Sequence, residues 1–327
     1  MSTLDYLLEH LKLQSSIFSQ LTLNGHWGIT KARHPQGAPF HLLLSGDAWL
    51  RLPGQQRLIH LNEGDMVMIP AGHQHDLLSE PNARTVAFTQ LLASNGYITS
   101  GENSHFQVSR ITVGLPGERQ TKLVTGIFNF GESLRNPLVT TLPDYLHLRG
   151  ERNPWLPSSL ALLSSELDSE QPGMSTIAVR MADILFVQAI RHYLSQHHNF
   201  TPGWLNGLND PQIAKSLALI HQNPAHPWNL VLLSQTIGMS RSRFAERFKT
   251  LIGQTPMSYL TEWRMYLAAD RLRHSQIRLT QLAAESGYES DVAFSKAFKK
   301  WSGYTPRAFR AGESSSIDPG SDTVSPE

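Results

Sequence analysis

The chain has 327 residues, of which 40% are hydrophobic and 17% are charged, a composition typical of a folded protein with material for two domains. It contains no cysteine, which excludes disulfides, thiolate metal sites and cysteine nucleophiles. The net charge of +1 conceals an uneven distribution, because residues 211–310 hold 14 Lys and Arg against 6 Asp and Glu. A basic segment of that length indicates a module that binds a polyanion.

Residues 1–20 have a helical pattern. In MSTLDYLLEHLKLQ the charged and polar residues Asp5, Glu9 and His10 interrupt the apolar ones, so the segment predicts an amphipathic helix and not a secretion signal. No uninterrupted apolar run approaches the roughly 20 residues that a membrane helix needs. We therefore expect a cytoplasmic protein with no membrane partner.

From about residue 21 to 130 the pattern changes to short apolar stretches broken by Gly, Pro and Asn. Turn signals at this frequency between β-favouring segments predict an antiparallel barrel or sandwich. Residues 155–198 return to a helical period, and the Pro/Gly/Asn-rich segment 199–211 predicts a linker. The last residues, 311–327, have the composition of a disordered tail.

The C-terminal part contains a repeated unit. GMSRSRFAERFKTLIGQTP begins at Gly238, and GYESDVAFSKAFKKWSGYTP begins at Gly287, with the Phe, Lys, Gly, Thr and Pro positions recurring 50 residues later. Each copy predicts a short helix, a tight turn at the glycine and a second helix capped by Ser240 or Ser290. Helix, glycine turn, helix is the arrangement that places its second helix in the DNA major groove.

At 100° per residue, the phenylalanines of each second helix lie on one face and polar residues on the other. We predict that the aromatic face is packing and that the opposite face contacts DNA. The predicted contact residues are Arg241, Ser242, Arg243, Ala245, Glu246 and Lys249 on the first helix, and Asp291, Val292, Ser295, Lys296 and Lys299 on the second.

Residues 257–275, between the two copies, predict one helix about 28 Å long at 1.5 Å per residue. Major-groove faces on one side of B-DNA recur about every 34 Å. A rigid connecting helix can therefore hold two DNA-reading helices over two such faces.

With these features, residues 211–310 resemble the DNA-binding domain of the AraC/XylS family of bacterial transcription regulators. The resemblance covers both helix-turn-helix units, the connecting helix and the closing GYTPRAFR at 303–310. It implies double-stranded DNA as a partner, and RNA polymerase as well if the protein is an activator. In this family the region corresponding to 173–198 often pairs two chains, so the resemblance also implies a homodimer.

EGDMVMIPAGHQH at 63–75 is similar to the second cupin motif, and FHLLLSGDAWLRLPG at 40–54 is similar to the strand pair that precedes it. We therefore expect a cupin-like β-barrel that binds a small-molecule effector. Alternation places Met66 and Met68 on one strand face and Asp65, Val67 and Ile69 on the other, without showing which face is inside. The predicted effector pocket consists of His41, Trp49, Met66, Met68, His73 and His75.

Two interpretations of the N-terminal half remain open, a ligand sensor and a cupin metalloenzyme fused to a DNA-binding module. A catalytic cupin normally carries a His-x-His pair, a Glu and a later His. His75 matches the later His, but the first motif region offers only His34 and His41 and no Glu. The sequence therefore predicts no catalytic residue, no metal and no cofactor.

The predicted architecture has several parts: a β-barrel (cupin-like) effector-sensing domain over 1–150, a helical extension and linker over 151–204, and an all-α DNA-binding domain over 205–310. The helix-turn-helix units are placed at about 230–251 and 278–301. The predicted function is a DNA-binding transcription regulator, not an enzyme, controlled by a small effector.

Overall fold

The computed structural model describes residues 13–34, 37–55, 57–96, 109–129, 142–169, 171–196 and 203–311. The chain divides into two compact units between Asn199 and Phe200. The first unit is rich in sheet and the second is helical. The predicted fold class, a cupin-like β domain followed by an all-α domain with two helix-turn-helix units, is confirmed.

The first unit contains two sheets that face each other. The six-stranded sheet has the order β11-β6-β3-β10-β1-β9, and it comprises β1 (Gln14–Asn24), β3 (Gly37–Ser45), β6 (Met66–Met68), β9 (Ser109–Val113), β10 (Gln120–Asn129) and β11 (Leu146–Leu148). The five-stranded sheet has the order β5-β4-β7-β2-β8, and it comprises β2 (Gly28–Lys31), β4 (Asp47–Arg51), β5 (Ile59–Asn62), β7 (His75–Leu78) and β8 (Val86–Ala87). Most pairs are antiparallel, but β1 pairs with β9 and β2 with β8 in parallel.

The core of this unit, the barrel core, lies between the two sheets. Alternate residues of most strands point into it, as period-2 alternation requires. Its buried members come from both sheets: Leu21, Leu23, Trp27, Ile29, Leu43, Ala48, Leu50, Leu52, Leu61, Val67, Ile69, Leu77, Ile111 and Leu123.

Helices cover the other face of the six-stranded sheet. After the short helix α1 (Phe88–Ser94), the chain forms α2 (Trp155–Ser169) and α3 (Met174–Gln196), which pack together and against β1, β3 and β10. Phe40 stacks on Phe128 with ring centroids 4.2 Å apart, and Phe128 lies 5.1 Å from Phe186 of α3. The six-stranded sheet is therefore covered by apolar packing on both faces.

The helix predicted over residues 1–20 is wrong for residues 14–20, which belong to β1; residues 1–12 lie outside the described residues. β1 pairs with β10 along its length, with one irregularity between Ile17 and Ser19. This long-range pairing, which no local pattern contains, outweighs the helical periodicity.

The second unit is built of short helices around one long helix. They are α4 (Trp204–Leu208), α5 (Pro211–Gln222), α6 (Leu230–Thr236), α7 (Arg241–Ile252), α8 (Pro256–His274), α9 (Leu279–Glu285), α10 (Asp291–Ser302) and α11 (Pro306–Arg310). Part of the segment predicted as a linker is therefore helical, because α4 packs on α5 and α7. The predicted tail from 312 onward lies outside the described residues.

Candidate DNA interface and effector site

Two helix pairs, α6–α7 and α9–α10, carry the repeated unit. In α7 the rings of Phe244 and Phe248 are fully buried with centroids 5.6 Å apart, and in α10 Phe294 and Phe298 are buried at 5.7 Å. Each helix therefore buries its aromatic face, as the periodicity predicts, and turns the opposite face away from the core.

The turns of the two copies have the same backbone geometry. Gly238 and Gly287 have φ of 73° and 74°, and the helices α7 and α10 end at Gly253 and Gly303 in the left-handed region. Left-handed φ favours glycine because a Cβ would be strained there. The recurrence of these glycines in the sequence thus reflects one repeated backbone.

The two N-caps differ. The hydroxyl of Ser290 accepts from the backbone N–H of Ala293 at 3.2 Å, as a capping serine does. Ser240 occupies the N-cap position of α7, but its side chain makes no capping hydrogen bond. The prediction that the Ser240 hydroxyl caps α7 is therefore wrong in this structure.

None of the residues predicted to contact DNA is buried. Those with exposed side chains are Arg241, Ser242, Arg243, Glu246, Lys249, Val292, Lys296 and Lys299, while Ala245, Asp291 and Ser295 are partly exposed. Val292 is the most exposed large apolar side chain of the described residues, at 75%. The structure leaves all of these residues accessible to a partner.

Several cations predicted to contact DNA differ from neighbouring arginines because no ion pair within the fold engages their charge. Arg247 pairs with the buried Asp210, and Arg271 pairs with Glu285, so both are engaged within the fold. Within residues 203–311, no ion pair joins Arg243, Lys249 or Lys296 to another side chain, so their charges are available to phosphate or bases.

The connecting helix α8 is tied to both copies through Arg264. Its guanidinium donates to the carbonyls of Pro224 at 2.7 Å and His226 at 2.9 Å, in the segment that precedes α6. It also lies beneath the second turn, because a Cβ built on Gly287 would sit 2.6 Å from its Nη2. Burial lowers the pKa of Arg264, because desolvation disfavours the charged form.

In the first unit, His41 of β3 and His75 of β7 meet across the barrel core with their Nε2 atoms 2.7 Å apart. Both are 1% exposed. Burial lowers the pKa of His75 to about 4, and burial with the nearby His75 and Lys31 holds that of His41 well below its usual range. Both rings are therefore neutral at pH 7.

The tautomers follow from the partners. His75 Nδ1 lies 2.9 Å from the carbonyl oxygen of His73, which can only accept, so this nitrogen carries the proton. His75 Nε2 is then an acceptor, and His41 Nε2 donates to it. His41 Nδ1 is left as a bare lone pair, buried and reached by no described hydrogen-bond donor.

Lys31 of β2 is a member of this group that sequence reasoning missed. It pairs in register with His75, and its Nζ lies 3.1 Å from the centroid of the Phe88 ring in α1. The side chain is partly exposed, and desolvation of its amine lowers the pKa of Lys31 to about 7. The sequence could have indicated this position. Trp27, Ile29 and Lys31 are alternate residues, so Lys31 lies on the same strand face as two core residues.

The other predicted pocket residues lie elsewhere. Met66 and Met68 are buried on the strand face opposite Val67, the face that α2 and α3 cover. The Trp49 ring lies 4.3 Å from His60, on the strand face opposite the core residues Ala48 and Leu50, and the side chain of His73 is exposed. The structure thus brings together the side chains of His41 and His75 and separates the side chains of the remaining four residues of the predicted pocket from them.

The described residues of this unit also form surface clefts, among them the two that follow. The larger, about 590 Å³, is lined by apolar residues of β3 and α2 together with Glu63, Glu151 and Asp168. The smaller, about 300 Å³, lies around His26, Glu80 and Arg119. Neither includes His41 or His75, so the buried histidines and the surface clefts are separate features.

A metal site of the kind that cupins commonly contain does not fit these residues. Two imidazoles converge, but within the described parts of the chain there is no group of three His, Asp or Glu that could hold a metal ion. No mechanistic step is therefore assigned to a metal.

No helix within the described ranges is long and apolar enough to cross a bilayer.

Comparison with known proteins identifies both halves. A family model described as Cupin matches residues 2–195, and one described as Helix-turn-helix domain matches residues 233–312. A Streptomyces lividans protein named as an AraC-like transcription regulator is 30% identical over 95% of this chain and 98% of its own length. The HTH-type transcriptional regulator AlkR of Acinetobacter baylyi is 26% identical over 95% of this chain and 99% of its own length. Among solved structures, the DNA-binding domain of AdpA in complex with a target DNA is 29% identical over 32% of this chain and 92% of that chain, with a TM-score of 0.30.

Proposed function

Because the chain belongs to the AraC-like transcription regulators and carries an N-terminal cupin domain, we propose that α7 and α10 read two segments of one operator and that a small molecule bound in the cupin half controls this binding. The observation that carries the proposal is the duplicated helix with a buried aromatic face and an exposed polar face. Two such helices on one connecting helix match two major-groove faces of B-DNA.

The exposed residues divide into base readers and phosphate contacts. We assign Lys296 and Ser295 to base edges, because lysine donates naturally to guanine O6 and N7, and Glu246 to cytosine N4. Arg241, Arg243 and Lys249 are assigned to phosphates. Val292, an exposed apolar group on α10, suits the methyl group of thymine.

Footprinting and binding titrations on operator DNA selected from the genome test this assignment. Lys296→Ala is expected to relax preference at one or two base pairs, with a loss of about 1–3 kcal/mol of discrimination. Arg243→Ala is expected to weaken binding to all sequences about equally and to reduce the salt slope by about one.

Lys215→Ala is the matched control, because this exposed lysine lies on α5 and outside both DNA-reading helices. It should change neither base preference nor affinity. Footprints should show two protected segments about one helical turn apart on one face of the duplex. A single short segment, with Ser295 and Lys296 replaceable without effect, would make the second copy a structural brace.

We place the effector at the end of the barrel core where His41, His75 and Lys31 meet. An effector controls DNA binding only if it binds the two conformational states with different affinity. The enzyme alternative needs a catalytic ligand set, and the two neutral imidazoles without a carboxylate favour a sensor. Metal analysis of the purified protein separates these two functions.

We further propose that the protein is a homodimer through its N-terminal half. Ile177 and Ile184, one heptad apart on α3, are 46% and 58% exposed, and Leu162 on α2 is 63% exposed. Apolar side chains in such a row are typical of a surface that another chain covers. The fragment 205–312 should be monomeric.

The same proposal includes the domain bounds. The cupin-like domain extends over residues 1–150, the helical extension and linker over 151–204, and the DNA-binding domain over 205–310. The protein works in the cytoplasm, where its DNA target lies. If it is an activator, it also contacts RNA polymerase.

A further inference from the structure

The two helix-turn-helix copies share the connecting helix α8. Its N-terminal half packs with the first copy, where the ring centroids of Tyr259 and Phe248 are 5.8 Å apart. Its C-terminal half packs with the second, because Met265 and Leu272 belong to the buried core that contains Phe294. Bodies joined through a small interface move relative to one another unless a specific contact holds them. A contact that joins the two copies therefore decides how firmly their spacing is held.

Arg264 lies near the middle of α8, a helix of 19 residues. Its Nε donates to the carbonyl of Pro224 at 2.7 Å, and its Nη2 donates to the carbonyl of His226 at 2.9 Å. Three residues later, the side chain of Asn229 accepts from the backbone N–H of Leu232 and caps α6. The guanidinium thus holds the segment that leads directly into the first copy.

The same guanidinium contacts the turn of the second copy. A Cβ built on Gly287 would lie 2.6 Å from Arg264 Nη2 and 2.8 Å from the backbone oxygen of Ala225. The centroid of the Tyr288 ring lies 5.9 Å from Arg264 Cζ and 5.7 Å from that of Phe294 in α10. The segment before the first copy, the connecting helix and the turn of the second copy therefore meet at this point, the Arg264 junction.

The chemistry of the Arg264 junction requires an arginine. A guanidinium carries its donors in a rigid planar fork, so that two of its nitrogens can serve two carbonyls at once. Lysine offers a single ammonium on a flexible stem and cannot reproduce that fork. Gly287 completes the fit, since a side chain at this position would overlap Nη2.

From this junction we propose that Arg264 is a positioning residue for operator recognition: it fixes the separation of α7 and α10 and so selects operators with one spacing between their two segments. The inference rests on the proposed function, because spacing matters only if both helices read DNA. One base pair inserted between the segments moves the second by about 3.4 Å along the duplex and turns it by about 35°. Helices held at a fixed separation cannot follow both changes, so one of them loses its base contacts.

Binding titrations of the full-length protein measure this selection. They compare the genomic operator with versions that have one base pair inserted or removed between the segments. The loss of affinity on either change should be at least about 10-fold for wild type and less than about 3-fold for Arg264→Met, since base contacts of one helix account for the difference. A variant that is only less stable would bind all three operators more weakly by the same factor, so the ratio of affinities separates positioning from folding.

Two further variants control for the fork and for the helix. Arg264→Lys keeps the charge without the fork and should tolerate altered spacing as Arg264→Met does. Arg271→Met is the matched control, because Arg271 also lies on α8 but pairs with Glu285, inside the second copy. It should keep the wild-type loss of affinity at altered spacing. A full wild-type loss in either Arg264 variant would overturn the proposal.

The separation of the two helices can also be measured without DNA. The chain has no cysteine, so Thr250→Cys and Lys300→Cys, at exposed and equivalent positions of α7 and α10, each take one spin label. Pulsed electron paramagnetic resonance should give a narrow distance distribution with Arg264 and a clearly broader one with Arg264→Met. Equal distributions would contradict the role of Arg264 alone. A footprint of one short segment would instead contradict the proposed function, and with it the selection of spacing.

Discussion

Lys31, His41 and His75 are polar side chains at positions where leucine, isoleucine or valine would otherwise complete the barrel core. The two imidazoles are tolerated because burying an uncharged ring costs far less than burying a charge, and Lys31 remains partly exposed. His75 satisfies both of its ring nitrogens, through His73 and His41. His41 Nδ1 is buried without a described hydrogen-bond partner, a pattern more typical of a binding site than of a core optimised for stability.

Lys31→Met is expected to raise the unfolding temperature near neutral pH and to lose that advantage as the pH approaches 10. The folded pKa of Lys31 is about 7, whereas an unfolded lysine titrates at about 10.4. Between these values the unfolded chain holds a proton that the folded chain has released, so wild-type stability rises with pH across this window. Thermal unfolding at about pH 6.5 and about pH 9.5 measures the difference.

Lys122→Met provides the comparison, since this side chain is exposed on β10 and its charge stays in contact with solvent. Its effect should be small and the same at both pH values. A stabilisation by Lys31→Met that does not change with pH would show that the amine is not desolvated.

At the scale of elements, the two helix-turn-helix copies share their turns and C-terminal caps but differ in what surrounds the turn. A Cβ at Gly238 would meet nothing within 4 Å, whereas one at Gly287 would lie 2.6 Å from Arg264 Nη2 and 2.8 Å from the backbone oxygen of Ala225. Arg264 therefore packs under the second turn while it holds the segment before the first. The second copy is fixed more firmly to the connecting helix than its sequence indicates.

Gly287→Ala should destabilise the protein more than Gly238→Ala. Both substitutions place a Cβ at positive φ, which costs about 1–2 kcal/mol. Only the alanine at 287 also displaces Arg264 and a backbone carbonyl, and overpacking of this kind adds about 1–3 kcal/mol. Thermal or urea unfolding of the two variants gives the difference directly, and equal losses would mean that Arg264 moves aside freely.

On the scale of the whole molecule, each unit has a core of its own, which is how domains that carry separate tasks are built. In the proposed dimer, the exposed row on α3 would join two effector-binding halves and bring four DNA-reading helices to one operator. Linking weak contacts in this way raises the overall affinity through effective concentration.

A double substitution of Ile177 and Ile184 by Glu is expected to convert the protein to a monomer without loss of folding, because both side chains are exposed in the single chain. Analytical ultracentrifugation at micromolar concentration measures the state. Leu115→Glu serves as control, since this leucine is 73% exposed and lies outside α3. A double variant that remains dimeric would show that the interface does not lie on α3. A wild-type protein that is already monomeric would contradict the dimer itself.

The sequence by itself determined the second unit almost completely. Phe244 and Phe248, the turn at Gly238 and the 19-residue helix α8 are local features, read from a 3.6-residue period and from the φ that a glycine allows. The phenylalanines recur 50 residues later and the turn glycine 49 residues later, so the second copy supports the interpretation of the first. The backbone hydrogen bonds of a helix join residues that are close in sequence, so the local pattern was enough to predict these helices.

Tertiary structure alone brought together the residues of the candidate site in the first unit. The alternation in β6 separated Met66 and Met68 from Val67 but could not assign an inside, because apolar packing covers both faces of that sheet. The meeting of Lys31, His41 and His75 depends on three strands from two sheets, and strand pairing is set by long-range contacts that no sequence window contains.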